Sequence, residues 1–351
     1  MEKDIIELVK GAEEKACRDL RTGVIISPGA MGDCLLMLPL AKFMKQILQL
    51  GGIDFIGHTD YIEFYPGRTV VDGIRSIDSV DFHRLFTKPD DFIVEDSDAL
   101  IHTFSRYEWI ISFLGEKNSY FESNLVFTVY CSRSAEITML PVNPGPDFSG
   151  HISEFYIRKF IEENLHIDKP YDFDNSDILI EPTQADIRSG NELLLADRID
   201  TNSRIVIIHP GSGSRDKCWH LENFCLLAEI LSEKDLQVVF LLGPAEKERF
   251  DQEAAEKINT IAKYISGLDL TTIMQIISCA DMYIGNDSGV THLAAATGTK
   301  TLAIFGPTDP ALYKPIGPCV RVFNADIAGF TSPSAPAVSQ AAEIVSSMLN
   351  D

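Results

Sequence analysis

Residues 281–298 read DMYIGNDSGVTHLAAATG. An apolar, strand-like run passes without a spacer into Asn, Asp, Ser, Gly, Thr and His, and then into small and apolar residues. Helix capping explains one of these polar residues, because Asp287 or Ser288 can accept from the first free N–H groups of the helix that follows. A ligand explains more of them. A helix starting at Ser288 offers unpaired N–H groups and a partial positive end, and Gly289 lets a ligand approach that backbone closely. Ser288, Thr291 and His292 lie three and four residues apart, so the spacing predicts their side chains on one edge of the first turn, facing a phosphate or diphosphate.

Working outward, the pattern from residue 200 is regular. RIVIIHP (204–210) leads to an amphipathic stretch, LENFCLLAEILSEK (221–234), and then to LQVVFLLG (236–243). Leu221, Phe224, Ala228 and Leu231 share one helical face. The flanking runs are short, branched and continuous, which suits strands buried on both faces of a parallel sheet. The alternation continues through a polar helix (245–259), a short strand near Tyr264, a helix from Leu270, the strand DMYIG, a helix from Ser288 and the strand KTLAIFG (300–306). The expectation is a doubly wound α/β domain.

The N-terminal half opens in the same way, with GVIIS (23–27), a loop PGAMGD, a helix LLMLPLAKFMKQILQ (35–49) and a strand IDFIG (53–57). GIRSID (73–78), ALIHTF (99–104) and NLVFTVY (124–130) read as further strands, and PVNPGPDFSG (141–150) as a turn-rich loop. A Pro ahead of a new helical run in IEPTQ (180–184) suggests the break between domains 1–180 and 181–334. The last stretch, 335–351, reads as a helix that packs back on the first domain.

A chain of 351 residues suits two domains. No segment has the roughly 18 uninterrupted apolar residues of a membrane-spanning helix. The first twenty residues alternate charge and hydrophobe at helical spacing without an apolar signal core, so a cytoplasmic location is expected. The seven cysteines are scattered without a C-x-x-C pair, which suggests neither a disulfide framework nor a zinc site. A net charge of −22 argues against nucleic acid and against a broad basic membrane patch, leaving at most peripheral membrane contact. If the ligand is an anion, its field must come from a few placed groups.

In open α/β sheets ligands bind outside the carboxyl ends of the strands. Three loops there stand out: SPGAMGD (27–33), HPGSGSRDKCW (209–219) and GNDSGVTH (285–292). In the second, Gly211 and Gly213 permit a tight loop, Ser212 adds a hydroxyl and Lys217 a cation on an otherwise acidic chain. It is not a G-x-G-x-x-G fingerprint, and no G-x-x-x-x-G-K-[ST] occurs anywhere, which speaks against a dehydrogenase and a P-loop enzyme. In the first loop, Asp33 follows Gly29 and Gly32 at a helix start. It reads either as a plain cap or as a carboxylate able to take a proton from a hydroxyl.

Taken together, GDCLLMLPL (32–40), HPGSGSRDKCW and GNDSGVTHLAAATGTKTLAIFGPTDP (285–310) resemble glycosyltransferase family 9, the ADP-heptose lipopolysaccharide heptosyltransferases and their relatives. The resemblance implies a GT-B architecture of two Rossmann-like domains, acceptor on the N-terminal side, nucleotide-sugar donor on the C-terminal side, and no metal or other cofactor. It implies that Asp33 is the catalytic base, that Lys217 contacts the donor phosphates, and that Asp287, Ser288, Gly289 and His292 form the donor motif. Ser212, Gly213 and Thr291 join the donor set, and Gly29 and Gly32 form the acceptor-side loop. The partners expected are a nucleotide-sugar, most plausibly ADP-heptose, and a saccharide or glycolipid. His220 departs from the family, which commonly has proline there. Arg68, Arg75, Arg84, Arg106 and Arg133 are dispersed and read as solvated charges. A sugar-nucleotide epimerase or a non-catalytic binding protein of the same fold are the alternatives.

Overall fold

The computed structural model describes residues 21–165, 172–243 and 252–350. The helix expected over 1–20, and the start of the one expected over 245–259, lie outside the described residues. Two compact units emerge: the chain through Ala30 with Met37–Asp172, and Met31–Leu36 with Phe173–Asp351. The division thus falls a little ahead of the Pro182 turn.

In the first unit, strands β1 (Thr22–Ile26), β2 (Gly52–Gly57), β3 (Gly73–Ser76), β4 (Trp109–Ser112) and β5 (Glu136–Met139) form one sheet in the order β3-β2-β1-β4-β5. Every pairing is parallel. The helix expected from residue 35 is two: α1 (Met31–Leu36), which belongs to the other unit, and α2 (Leu38–Ile47), which starts afresh with Pro39 in its first turn, where the missing N–H is harmless.

ALIHTF and NLVFTVY are helices rather than strands: α3 (Ala99–Phe104) and α4 (Tyr120–Tyr130). Capping overrode β propensity. The Asp98 carboxylate accepts from Leu100 N at 2.9 Å, and ahead of α4 Ser119 Oγ accepts from Glu122 N while Glu122 accepts from Asn118 N. The true strands are the shorter WIIS and EITM. Helix α5 (Ile152–Asn164) then covers the sheet near β5. Val24, Ile26, Ile56, Ile110, Phe104, Phe121 and Leu125 share the core.

The arginines of this unit do more than solvate it. Arg84 grips Asp98 with both guanidinium nitrogens, at 2.9 and 2.6 Å, and Arg75 reaches Thr103 Oγ1 at 3.0 Å. Arg106 pairs with Asp54, which also accepts from the Tyr107 hydroxyl at 2.8 Å. These charges fasten neighbouring segments.

The second unit begins with α6 (Gln184–Ala196), opened by a capping box between Thr183 and Asp186. Strand β6 (Ile205–His209), α7 (Leu221–Ser232), β7 (Gln237–Leu242), α8 (Gln252–Ile261), β8 (Lys263–Ser266) and α9 (Leu270–Ile277) follow. Then come β9 (Met282–Asn286), α10 (Gly289–Ala296), β10 (Thr301–Phe305), β11 (Val320–Asn324) and α11 (Ala335–Asn350). The sheet runs β11-β10-β9-β6-β7-β8 and is parallel throughout, as expected of a doubly wound domain; the edge strand β11 adds to the strands expected over 204–306.

Helix α11 clusters with the second unit. Its apolar face, Val338, Ala341, Ala342, Val345 and Met348, shares a core with Phe224, Leu227 and Leu231 of α7. Asn223, fully buried, donates to the carbonyls of Gly329 and Ser332 and accepts from Ser334 N at 2.7 Å, fixing the approach to the helix.

A candidate functional site at the strand ends of the second unit

The second sheet reverses direction between β6 and β9, since β7 lies on one side of β6 and β9 on the other. The loops leaving these two strands are 210–219 and 287–288, so the predicted residues gather at the switch point where such sheets bind ligands.

Asn286 knits the loops together from the last position of β9. Completely buried, it donates to Pro210 O at 2.8 Å and accepts from Trp219 N at 2.8 Å. Ser212 Oγ donates to Asp287 O at 2.9 Å. Trp219 is sealed into the core, with its indole N–H on Gly329 O at 2.8 Å. His220 caps α7, its Nδ1 accepting from Glu222 N at 3.3 Å.

Asp287 is the hub. Its Oδ2 accepts from Lys217 Nζ at 2.8 Å and from Thr308 Oγ1 at 2.7 Å, while His292 Nε2 stands 3.7 Å from Oδ1, too far for a direct hydrogen bond. The side chain of Asp287 is 6% exposed and that of Lys217 37%, so the carboxylate is buried and the ammonium reaches water. Burial alone would raise the Asp287 carboxyl, but His292, Lys217 and Thr308 outweigh it and hold the carboxyl well below the usual carboxylate range. The group is therefore an anion that aims a cation.

At the start of α10, Ser288 caps the helix, its Oγ accepting from Thr291 N at 3.4 Å. Ser288 and Thr291 do adjoin, their hydroxyl oxygens 3.1 Å apart, but Thr291 and His292 are buried where Ser288 is not. Thr291 is fully buried, donates to Asn286 O and lies 3.3 Å from the Tyr283 hydroxyl, so it holds the loop from within. His292 is 5% exposed, and its Nδ1 has no partner among the described residues. Ser288 and Gly289 remain half-exposed, and Gly213 lies open at the surface.

Helix α1 packs against the start of α10. A Cβ on Gly289 would sit 2.6 Å from Met31 Cε and 3.3 Å from Gly32 N, and one on Gly32 would sit 3.4 Å from His292 Cδ2. The two glycines let the first turns of α1 and α10 pack backbone to backbone. Asp33, half-buried, stands in the first turn of α1. Burial and then the Asp33 carboxylate push the Tyr313 phenol up, with Lys217 opposing and Asp287 assisting, so one tyrosine senses all three groups. Gly29 is in the first unit, where its N–H meets Ser27 Oγ at 3.1 Å.

Thr308 and Tyr313 were not singled out from sequence, although Thr308 lies in the quoted GPTDP. Asn286 stood in the opening cluster, but nothing in a linear pattern tells a ligand-facing amide from one that ties two loops. The signal for all three is spatial.

Comparison with known proteins converges on one family. Residues 162–333 match the model of glycosyltransferase family 9 (heptosyltransferase). Lipopolysaccharide core heptosyltransferase OpsX of Haemophilus influenzae is 28% identical over 133 residues, 36% of this chain and 38% of that protein. Lipopolysaccharide heptosyltransferase 3 of Escherichia coli K12 is 28% identical over 173 residues, 47% of this chain and 49% of that protein. The chain thus spans half or less of the length of these curated relatives. In solved structures, a family 9 glycosyl transferase from Veillonella parvula superposes with a TM-score of 0.67 at 14% identity, covering 95% of this chain and 98% of that one. ADP-heptose lipopolysaccharide heptosyltransferase II of E. coli gives 0.67 at 15% identity over 94% and 98%. At that identity the likeness establishes the fold, GT-B, built here from two parallel-sheet α/β units. Residues 162–333 match glycosyltransferase family 9, and the chain is heptosyltransferase-like.

Proposed function

We propose that the protein is an inverting, metal-independent glycosyltransferase that moves a sugar, heptose from ADP-heptose, onto a saccharide or lipopolysaccharide-core acceptor. The observation that carries this reading is the packing of α1 on α10 through Gly32 and Gly289, which sets the Asp33 turn against the helix start that follows Asp287, the partner of Lys217. In the transfer, an acceptor hydroxyl oxygen bonds to the anomeric carbon while its proton passes to the Asp33 carboxylate. The anomeric C–O bond breaks as this happens, and its electron pair leaves with the nucleoside diphosphate. Lys217 and the N–H groups at the start of α10 take up the charge that develops on that leaving group. Asp287 holds the ammonium ready, and Thr308 holds Asp287.

Two solved structures of one relative support the donor assignment: E. coli heptosyltransferase WaaC, whose fold this chain shares at TM-scores of 0.61 and 0.60, has been captured with ADP and with ADP-2-deoxy-2-fluoro heptose. The adenine is assigned to the backbone groups around Gly243 and Gly267–Thr271, at the ends of β7 and β8. No helix among the described residues is long and apolar enough to cross a membrane, which accords with a cytoplasmic site of action. The test is a thermal-shift panel of ADP, UDP, GDP and their sugar conjugates with and without EDTA. ADP and ADP-heptose are expected to stabilise the protein equally well in chelator; stabilisation that requires a divalent ion overturns the metal-free leaving-group role of Lys217. A pure binding protein would show the same shifts and no transfer.

A further inference from the structure

A third segment of the second unit reaches Asp287: residues 306–310, the loop that leaves β10. The sheet puts it there. β10 lies beside β9, with Ile304 opposite Asn286, and Asp287 N donates to Ile304 O at 3.0 Å, so the two loops leave the sheet side by side.

The loop is held on both sides of Thr308. A Cβ on Gly306 would fall 2.5 Å from the buried Phe330 ring, so the chain leaves β10 against an aromatic wall. Pro307 then fixes its own φ. Beyond Thr308, the Asp309 carboxylate accepts from Ala311 N at 2.9 Å and caps the short helix Pro310–Tyr313. Thr308 is β-branched and stiff at χ1, and between these anchors its hydroxyl is set on Asp287.

What the hydroxyl does follows from the oxygen it uses. Thr308 Oγ1 and Lys217 Nζ both donate to Asp287 Oδ2, at 2.7 and 2.8 Å, whereas His292 Nε2 stands 3.7 Å from Oδ1. A carboxylate oxygen offers about two lone-pair sites, and donors on both divide its negative charge. Thr308 therefore fixes the direction in which Oδ2 points while weakening its hold on the ammonium. Without that hydroxyl, a carboxylate 6% exposed would turn the whole charge of Oδ2 on Lys217, which is 37% exposed and reaches water.

We infer that Thr308 is a positioning residue, whose hydroxyl shares Asp287 Oδ2 with Lys217 so that the ammonium is aimed and yet released to a diphosphate. This role rests on the proposed transfer only for the diphosphate. Thr308→Val keeps the branched shape and removes the donor; Thr308→Ser keeps the donor. In the full chain without ligand, the Lys217 ammonium is followed by ¹⁵N NMR and assigned through Lys217→Arg. Its hydrogens should exchange with water about threefold more slowly in Thr308→Val, where Asp287 grips harder. ADP should bind that variant about tenfold more weakly, with adenosine, which lacks phosphates, within about twofold of wild type. Thr308→Ser should restore both. Unchanged or faster exchange in Thr308→Val overturns the shared-oxygen role, as does a Thr308→Ser as impaired as Thr308→Val. Equal weakening of ADP and adenosine also overturns it, because Thr308 would then only shape the loop. A wild type that binds no ADP defeats the donor reading, while the exchange rates still decide the role of Thr308.

Discussion

At the strand ends of the second unit, a carboxylate 5% exposed accepts from a lysine and a threonine, and a fully buried asparagine joins the loops on either side. At the corresponding ends of β4 and β5 in the first unit lies a hollow floored by Phe113, Met139 and Leu140, whose ion pairs cancel at its rim. Both stand on all-parallel sheets with a reversal of strand order beside the first strand. One backbone plan therefore supports two opposite chemistries. The polar site is built by hydrogen bonds between loops and tolerates little change, whereas the apolar one is built by shape and leaves its rim free to vary.

The largest expected effect tests the polar side. Asp33→Asn keeps the size of the side chain and removes its capacity to accept a proton, so turnover should fall by about 10²–10⁴-fold, the usual contribution of a positioned base. ADP affinity measured on the same preparation should stay within about threefold. Retained turnover would remove Asp33 from the chemistry and return it to the role of a helix-start carboxylate.

Asp287→Ala comes next. Removing one member of a buried pair typically costs about 3–5 kcal/mol; with Lys217 37% exposed and able to rehydrate, about 2–4 is expected in denaturant unfolding of the second unit. Acid provides the control. Because the Asp287 carboxyl is held low in the folded protein, its stabilisation is complete above the unfolded value near 3.8 and is lost as pH falls below it. The gap between wild type and variant should therefore be constant at neutral pH and narrow below about pH 4. A gap indifferent to acid would mean that Asp287 acts by packing.

The difference between the sites also sets what could be read in advance. Residues 204–306 were legible because each strand is a continuous branched run and each site loop lies directly after one, so local sequence and position in the sheet coincide. The hollow draws on Phe86, Leu114, Met139, Val142 and Lys159, scattered over seventy-odd residues with no common spacing. The stretch 141–150, read only as a turn-rich loop, supplies Pro141, Val142 and Asn143 to its lining. In the same region α3 and α4 were mistaken for strands, since apolar branched runs looked stronger than the Asp98 and Ser119 caps that decide them. The inward turn of Thr291 was hidden for another reason: helical spacing gives the face of a residue, and the Asn286 carbonyl decides which way its hydroxyl points.

Two glycines sharpen the contrast at intermediate size. Gly115→Ala places a Cβ against the Phe121 ring from a left-handed backbone, which should cost the first unit about 2–3 kcal/mol. Gly289→Ala meets the flexible end of Met31 first and the Gly32 backbone second, so about 1–2 kcal/mol is expected. Hydrogen exchange should show the first loss around α4 and the second around α1 and α10. ADP binding should weaken only in the second. If both variants loosened the same segment, the two units would not be independent in stability.

The smallest effects bear most directly on how the sites are built. Ser212→Ala removes a buried hydroxyl's bond to Asp287 O and leaves that carbonyl short of a donor, so about 1 kcal/mol of stability should go. Val142→Asp introduces a whole charge, yet the side chain it replaces is 41% exposed, and surface changes of this kind usually stay within about 0.5 kcal/mol. Equilibrium urea unfolding of the two variants beside wild type resolves the difference. A more conservative change would then cost more than the introduction of a charge, because stability at the polar site resides in bonds between loops, and at the hollow it resides in the floor below the rim. Equal costs at Ser212 and Val142 would remove that distinction.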